Sequence, residues 1–212
     1  MSPRSADPQL RTRLIEAAAR VLAEAGPAAL TSRRLAAEVG SSTMAVFTRF
    51  GSMAEIRRAV REEGFARLNA RLDAARASDD PVADLVAAGV VFFAAGVADP
   101  HLYRAMFLDR PPEDDDLGAG TYARLVALVR RAVTAGRFPA ARESLVPVWA
   151  AQLWSMPHGM VVMTVAGLLP GEQARFVLDD MTLRLLIGYG DDPDRARRSI
   201  EQASRTAETG PV

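Results

Sequence analysis

Residues 41–50, with the sequence SSTMAVFTRF, combine small hydroxyl side chains with large apolar ones and carry a single charge, that of Arg49. Hydroxyl and guanidinium groups can form hydrogen bonds with an external partner, and large apolar side chains can pack against one. The stretch is too polar for an ordinary core strand and too apolar for an ordinary solvent-exposed loop. It is therefore either part of a core or a segment that recognises another molecule, and the flanking elements decide between these interpretations.

Groups that carry out catalysis or bind metal are scarce in the rest of the chain. The sequence has no cysteine, which excludes disulfides, zinc–thiolate sites and a cysteine nucleophile, and its two histidines are His101 and His158. It also lacks a nucleophile elbow, a P-loop and the glycine pattern of a dinucleotide-binding fold. The acidic residues at 109–116 are typical of a solvated loop. We therefore predict a protein that is not an enzyme and that holds neither a metal ion nor a cofactor.

The charged residues are distributed unevenly, although the formal net charge is zero. Residues 1–76 contain 13 Arg against 8 acidic residues, whereas residues 77–212 contain 13 Arg against 18 acidic residues. A basic N-terminal third on an otherwise acidic chain indicates that the two parts meet different partners. With 49% apolar residues the chain can bury a core. Neither a secretory signal nor a membrane span is predicted, so we expect a cytoplasmic protein.

Helical periodicity dominates the sequence, and strand patterns are rare. Apolar faces, interrupted by Pro, Gly or acidic clusters, predict helices over 9–25, 32–38, 43–48, 53–76, 81–98, 101–109, 118–135, 142–168 and 171–188. A capping box formed by Ser52 and Glu55 marks the start of the long helix at 53–76. Charged and small residues at 191–212 predict a tail that is partly disordered. The predicted fold class is therefore all-α.

The flanks of residues 41–50 have the spacing of a helix-turn-helix motif. Ala36 is small enough for two helices to approach closely, and Gly40 lies four residues later, where the turn favours a positive φ. Val46 follows six residues further on and should point into a small core together with Leu35. An amphipathic helix precedes this motif, and a capped long helix follows it. The spacing therefore favours the recognition hypothesis.

The segment RLIEAAARVLAEAGPAALTSRRLAAEVGSSTMAVFTRFGSMAEI resembles the DNA-binding domain of the tetracycline-repressor (TetR) family of transcription regulators. The shared features are the Ala-rich first helix, Gly26 after it, Thr31 opening the second helix, Gly40 in the turn and the ending Phe47-Thr48-Arg49-Phe50. The resemblance implies an all-helical homodimer with an N-terminal three-helix helix-turn-helix head at 9–52. It also implies a helical effector-binding and dimerisation domain at 53–190, joined to the head by the long helix.

The resemblance further implies which residues contact double-stranded operator DNA. The helix at 43–48 should enter the major groove, with Ser42 as its N-cap and with hydroxyl, methyl and guanidinium groups facing bases and phosphates. Backbone phosphates are expected at the start of the preceding helix. The predicted DNA-binding residues are Thr31, Arg33, Arg34, Ser42, Thr43, Met44, Ala45, Phe47, Thr48, Arg49 and Met53.

Two of these residues differ from what is common in the family. Phe47 occupies a position where Tyr is common, and Met53 occupies one where Lys is frequent. Each change removes a polar contact to a phosphate. Val46 and Phe47 also fit a plain core interpretation. A helical adaptor with lost or weak DNA binding is therefore the alternative to a ligand-responsive transcriptional repressor.

Apolar helices in the C-terminal part predict the effector site. The helix at 81–98 is apolar around most of its circumference and should be central. Pro157 predicts a kink or a break in the helix at 142–168. The segment from Trp154 to Gly159 resembles the Trp-His-Gly branch of TetR-like C-terminal domains. The predicted ligand-binding residues are Phe92, Phe93, Tyr103, Met106, Phe107, Tyr122, Leu125, Trp149, Trp154 and His158. Core packing is the alternative for the two Trp, for His158 and for the Met and Phe residues.

The last two long predicted helices should form the dimer interface. Small residues allow close packing there, and a second apolar face could complete a four-helix interface. The first set is Ala150, Ala151, Val161 and Val162, and the second is Phe176, Met181, Leu185 and Leu186. A twofold dimer would present two reading helices to half-sites along the duplex. The predicted effector is a small, mostly apolar molecule.

Overall fold

The computed structural model describes residues 9–75, 77–109, 116–139 and 142–209, with side chains up to residue 205. These residues form the α-helices α1 Leu10–Ala25, α2 Ser32–Glu38, α3 Thr43–Phe50, α4 Met53–Ala74, α5 Pro81–Ala98, α6 Pro100–Phe107, α7 Ala119–Thr134, α8 Val146–Val165, α9 Gly171–Gly188 and α10 Pro193–Thr209. Short 3-10 turns occupy Pro27–Ala29 and Glu143–Leu145. Because the described residues contain no strand, the predicted all-α fold class is confirmed.

Helices α1 to α9 correspond to the nine predicted ones. Their ends lie close to the predicted ends, except in α8, which begins at Val146 because the preceding residues form a 3-10 turn. Pro157 lies inside α8 without ending it, so the helix is not broken there as the sequence allowed. Residues 110–115 of the predicted acidic loop lie outside the described residues.

The chain is divided into two compact units. The first comprises the described residues of Met1–Arg67 and Asp99–Leu117, and the second comprises those of Leu68–Ala98 and Gly118–Val212. Helix α4 contributes residues to both units, and α6 belongs to the first. Helix α1 packs against α6 within the first unit, and the predicted boundary after residue 52 stays a prediction.

The first unit is held together by the apolar face of α1. Its buried residues include Leu14, Ile15, Ala18, Val21 and Leu22. Helices α4 and α6 approach closely at Gly64, where a methyl group would overlap the side chain of Met106. The ring of Phe107 meets the ring of Phe65 edge-on, with centroids 5.5 Å apart. Close packing thus attaches α6 to the N-terminal helices.

The second unit is built around α5, whose 18 residues include one charged residue, Asp84. The helix packs against α7, α8 and α10. Among the described residues, α5 is the one helix that is long and apolar enough to cross a membrane. A buried core helix passes the same test of length and composition, and half of the residues of α5 are buried. Its neighbours on several sides identify α5 as such a core helix.

The tail predicted at 191–212 is helical over Pro193–Thr209, where it forms α10. Helical order in this segment thus extends further than its composition suggests. Three small residues, Ala196, Ser199 and Ala203, form a buried stripe on α10, and the helix packs against both α5 and α9. Small side chains let helices approach closely without a large apolar face. The composition of the segment therefore does not predict that it packs against other helices.

A buried cluster of charged groups fastens α10 to the rest of the second unit. Nε and Nη2 of Arg137 donate to the two carboxylate oxygens of Asp191, each at 2.7 Å. Nη1 of Arg137 donates to Asp80 at 2.6 Å. The hydroxyl of Ser199 accepts from Nη2 of Arg137 at 3.0 Å and donates to the second oxygen of Asp80 at 2.6 Å. The side chains of Arg137 and Asp191 are almost fully buried, so each depends on the other for its charge compensation.

Asp80 joins this cluster to the start of α5. One of its oxygens accepts from the amides of Val82 at 2.9 Å and Ala83 at 3.2 Å, which caps the helix. Burial opposes the ionisation of Asp80, but the hydrogen bonds from Ser199 and from these amides, with the charge of Arg137, hold the pKa of its carboxyl below the usual value. Its contribution to stability is therefore complete above the ordinary pKa of aspartate and is lost as the pH falls through the lowered pKa.

Replacing Arg137 should detach α10. Arg137→Met leaves the carboxylates of Asp80 and Asp191 without their cation, so we expect the free energy of unfolding to fall by roughly 3–5 kcal/mol. Urea denaturation measures this change, and faster tryptic cleavage at Arg197 and Arg198 on α10 would locate it.

The matched control is Arg130→Met, which removes an exposed guanidinium that bonds Glu143 at 2.6 Å. Because exposed ion pairs contribute little, its cost should be below about 1 kcal/mol. Equal losses of stability in the two variants would contradict the fastening role of the Arg137 cluster.

Candidate DNA-binding and ligand-binding sites

Side-chain caps fix the two helices of the helix-turn-helix motif. The hydroxyl of Thr31 accepts from the amide of Arg34 at 3.2 Å and starts α2, and the hydroxyl of Ser42 accepts from the amide of Ala45 at 3.1 Å and starts α3. Between the helices, Gly40 has a φ of +66°, a conformation that favours glycine. The predicted caps and turn are thus those found in the structure.

Helix α3 separates the residues of the opening segment into an inner and an outer set. Val46 and Phe50 are buried and hold the helix to the first unit. Thr43, Met44, Phe47 and Thr48 are exposed, and Ala45 and Arg49 are half-buried. Met44 exposes 73% of its surface and Phe47 44%, which is unusual for large apolar side chains. The core interpretation therefore fits Val46 and not Phe47.

The remaining predicted DNA-binding residues lie at the neighbouring helix ends. Arg33 and Arg34 are exposed on the first turn of α2, and Arg34 pairs with Glu38 at 3.7 Å. Met53 is half-buried at the first position of α4. The hydroxyl of Ser52 accepts from the amide of Glu55 at 3.2 Å just before that helix, which is one half of the predicted capping box. The amide of Ser52 donates to the carbonyl of Phe50 at 2.9 Å instead of to Glu55. The hydroxyl of Thr48 donates to the carbonyl of Met44 at 2.8 Å, so its oxygen faces outward as an acceptor.

A partly open cavity of about 50 Å³ lies within the second unit. Helices α5, α7, α8 and α9 form most of its wall, and Leu72 near the end of α4 completes it. The apolar lining residues are Leu72, Leu85, Val86, Ala88, Gly89, Val90, Phe92, Leu125, Leu128, Leu153, Trp154, Met156, Pro157 and Leu178. Such a wall suits an apolar molecule.

Three of the predicted ligand-binding residues, Phe92, Leu125 and Trp154, line this cavity. His158 is packed behind them, with ring centroids 4.6 Å from Phe92 and 4.8 Å from Trp154. Burial lowers the pKa of His158 to about 4, so the imidazole is uncharged at neutral pH. The ring of Tyr122 stands edge-on to Trp154 at 5.6 Å, and its hydroxyl donates to the carbonyl of Pro147 at 3.2 Å. These two residues support the aromatic wall of the cavity.

The other five predicted ligand-binding residues are not brought to the cavity. Tyr103, Met106 and Phe107 belong to the first unit, where the ring of Tyr103 packs on Phe107 with centroids 5.3 Å apart. Trp149 is buried and stacked on Tyr189, with centroids 4.4 Å apart and planes 18° apart. Phe93 is buried on α5 outside the cavity wall. These side chains fill cores, the alternative that the sequence left open for Trp149.

Four polar residues that the sequence did not single out also line the cavity: Thr121, Arg124, Asp179 and Thr182. The sequence does contain a pattern that could have identified the two on α7. One face of that helix carries, at helical spacing, Thr121, Arg124, Leu125 and Leu128. That face mixes polar with apolar residues, so apolar periodicity alone passes over it. Within the described residues no group of three or more His, Asp or Glu side chains could hold a metal ion.

Exposed apolar residues mark one face of α8 and one of α9. Large ones include Val148, Val162 and Met163 on α8, and Phe176, Met181 and Ile187 on α9. An open groove between the two helices is lined by Val148, Ala151, Met181 and Leu185 among others. Of the residues predicted for a dimer interface, Ala150, Val161 and Leu186 are buried inside the unit and cannot contribute surface.

Two family models match the chain, and together they cover more than half of it. The model of bacterial regulatory proteins of the tetR family matches residues 14–60. A model described as a tetracyclin repressor-like C-terminal domain matches residues 85–188. The Trp-His-Gly branch is not among these matches and stays a prediction. Among curated proteins, none matches the sequence.

Solved structures share the fold. A protein of unknown function from Rhodococcus sp. RHA1 has a TM-score of 0.68 and 24% identity, with 85% of this chain and 97% of that chain covered. A TetR-like transcriptional regulator from Rhodococcus sp. RHA1 has a TM-score of 0.67 and 16% identity, with 89% and 100% covered. RolR in complex with resorcinol has a TM-score of 0.59 and 19% identity, with 93% and 94% covered.

The family matches fall on the two regions that the structure distinguishes, the helix-turn-helix motif and the helices around the cavity. The geometry of α2 and α3 agrees with a DNA-binding head. The chain therefore belongs to the tetR family of bacterial regulatory proteins and is a DNA-binding transcriptional regulator rather than an enzyme.

Proposed function

We propose that this protein is a homodimeric repressor that leaves its operator when a small, mostly apolar molecule binds in the second unit. The observation that carries the proposal is that one chain combines an exposed reading helix, α3, with an apolar cavity. A regulator that responds to a ligand needs two distinct sites of this kind. A repressor of this type acts where the chromosome is, which places it in the cytoplasm.

Helix α3 would read the operator through its exposed side chains. Thr43 and Met44, in its first turn, are free to face base edges because Val46 and Phe50 take up the inward positions. Hydroxyls can exchange hydrogen bonds with bases, and apolar side chains can contact thymine methyl groups. Arg33 and Arg34 on α2 supply positive charge for the phosphates. Charge thus anchors the protein, while α3 supplies the sequence preference.

The lining of the cavity supports an apolar effector. Fourteen of its lining residues are apolar or Gly, and aromatic rings of Phe92 and Trp154 form part of the wall. The structural neighbour RolR is known in complex with resorcinol, a small molecule. We extend small-molecule binding, and not the identity of that ligand, to this chain.

Helix α4 would transmit the binding event. Leu72, near its C-terminal end, lines the cavity, and its N-terminal end at Met53 follows α3 after two residues. An uninterrupted helix of 22 residues is stiff, so displacement of its last turns would also move its first turn. The effector can release the operator only if it binds the displaced state more tightly than the DNA-bound state.

A second copy of the chain would cover the exposed apolar faces of α8 and α9. The side chain of Phe176, with 75% of its surface exposed, would be costly to leave in water. Val162 and Met181 add to the same pair of helices. A twofold arrangement of this face would build a four-helix interface and pair the two reading heads.

Arg49→Ala tests the contact of α3 with the operator. The loss of one phosphate contact should weaken binding and make the salt dependence of log Kd shallower by roughly one unit. Fluorescence anisotropy with DNA from upstream of the coding region, measured at several salt concentrations, reports both quantities.

The matched control is Arg58→Ala, an exposed arginine on α4 that pairs with Glu62 at 2.9 Å, and it should keep the wild-type slope. An unchanged slope for Arg49→Ala would remove Arg49 from the phosphate contacts. Failure of the wild-type protein to bind DNA even at low salt would favour the adaptor hypothesis suggested by Phe47 and Met53.

Gly89→Leu tests the cavity. A Cβ at Gly89 would meet no atom within 4 Å, so the new side chain should occupy the open space, while Leu is a better helix former than Gly. We expect the affinity for the uncharged probe N-phenyl-1-naphthylamine to fall about tenfold or more, which corresponds to at least about 1.4 kcal/mol. Operator binding without the probe should not change.

The control for this substitution is Gly120→Leu on α7, where the position is exposed and a Cβ also meets no atom within 4 Å. It should bind the probe as the wild type does. Equal probe affinity in Gly89→Leu and the wild type would show that the cavity is not the binding site.

Phe176→Asp tests the dimer. A carboxylate in the centre of an apolar interface would lack a partner, so the variant should be monomeric at micromolar concentration and should bind DNA more weakly. Size-exclusion chromatography with light scattering measures the mass. Leu108→Asp, at an exposed apolar position in the first unit, should remain dimeric. A dimeric Phe176→Asp protein would place the interface elsewhere.

A further inference from the structure

The two charged residues in the wall of the cavity are already compensated by the protein. The guanidinium of Arg124 donates to the carboxylate of Asp73 and to the carbonyl of Leu72, the latter at 2.8 Å. Both oxygens of Asp179 accept from Nε of Arg175, at 3.0 and 3.1 Å. A charged ligand would bring a further charge to ion pairs that are already complete. The electrostatics of the cavity therefore favour an uncharged ligand.

The two hydroxyl groups in the wall already donate their protons to other groups of the protein. The hydroxyl of Thr121 donates to Oδ1 of Asn69 at 3.1 Å, and the hydroxyl of Thr182 donates to the carbonyl of Leu178 at 2.7 Å. Thr121 is 4% exposed and Thr182 is 7% exposed. A hydroxyl that donates its one proton keeps lone pairs that can accept. These two hydroxyl groups can therefore offer a ligand hydrogen-bond acceptors and no donor.

We propose that the effector is an uncharged molecule with an apolar body and at least one hydrogen-bond donor, such as a hydroxyl group, and that Thr121 and Thr182 determine this specificity. The inference rests on the proposed role of the cavity as the effector site. A ligand without a donor would leave the remaining lone pairs of the two threonine oxygens without a hydrogen bond. A carboxylate would bring further acceptors to two threonine oxygens that can only accept, and the wall that holds Arg124 also holds the carboxylate of Asp179.

The positions of the two threonines strengthen this assignment. Thr121 lies on α7 and Thr182 lies on α9, so the acceptors come from different helices of the wall. All the other lining residues, apart from Arg124 and Asp179, are apolar or Gly. Few polar groups in an apolar wall fix the orientation of a ligand and discriminate between close analogues.

Three probes with one shared body test the ligand class: 4-butylphenol, 4-butylanisole and 4-butylbenzoate. The phenol carries a donor, its methyl ether carries none, and the benzoate is an anion at neutral pH. Isothermal titration calorimetry with the full-length protein should show the phenol binding about tenfold more tightly than the anisole, as expected for one neutral hydrogen bond. The benzoate should bind most weakly. Equal affinity of phenol and anisole, tightest binding of the benzoate, or no binding of the phenol overturns the proposal.

Substitutions then assign the preference to the two residues. Thr121→Val and Thr182→Val keep the side-chain shape and remove the acceptor, so each should reduce the ratio of phenol to anisole affinity, and the double variant should bring it close to one. The matched control is Thr134→Val on α7, where an exposed hydroxyl donates to the carbonyl of Arg130 at 3.0 Å outside the cavity. A ratio unchanged in the double variant would also overturn the proposal, and the probe series on the wild type stands even if a variant does not fold.

Operator binding, measured with the same probes, separates this inference from the proposed function. If the phenol binds with the expected preference but does not alter operator affinity, the ligand class holds and the switch is wrong. If the benzoate releases the operator and the phenol does not, the switch holds and the ligand class is wrong.

Discussion

The second unit depends on the burial of α5, a helix that is apolar around nearly its whole circumference. Such a helix cannot leave one face in water, so it has to be covered on several sides. Helices α7, α8 and α10 provide this cover, and Asp80 satisfies the first amides of α5 while pairing with Arg137. The cover is incomplete where Ala88 and Gly89 leave space beside the helix, and the cavity lies there. The cavity is thus a consequence of how the core helix is enclosed.

The first unit is subject to a different constraint, because its three N-terminal helices must present a surface to a partner. Val46 and Phe50 are enough to hold α3, because Gly40 permits the tight turn before it and Ser42 caps its first turn. Thr43, Met44, Phe47 and Thr48 then remain exposed on α3. Low charge in this segment is compatible with DNA binding, because contacts to base edges need hydroxyl and methyl groups more than cations.

Local features of this fold could be predicted from the sequence, and non-local ones could not. Helix ends and the caps at Thr31 and Ser42 depend on residues within one turn, so the pattern near each position determines them. Periodicity shows that a helix has an apolar face and does not show which neighbour covers it. The apolar pattern therefore does not show that Met106 and Phe107 pack against α4, and the small residues of α10 do not show that this segment packs as a helix.

Both proposed sites lie where the chain departs from the rule that apolar residues are inside and polar ones outside. On α3, Met44 and Phe47 are apolar and exposed; in the cavity, Thr121 and Thr182 are polar and buried. An exposed Met has no stabilising role in an isolated chain, and a buried threonine pair in an apolar wall adds hydrogen bonds that apolar packing could replace. Departures of this kind are tolerated when binding selects for them. Exposed apolar side chains suit contact with base methyl groups, and buried acceptors suit the recognition of a donor, so the same physical criterion supports both proposed sites and the difference between their proposed ligands.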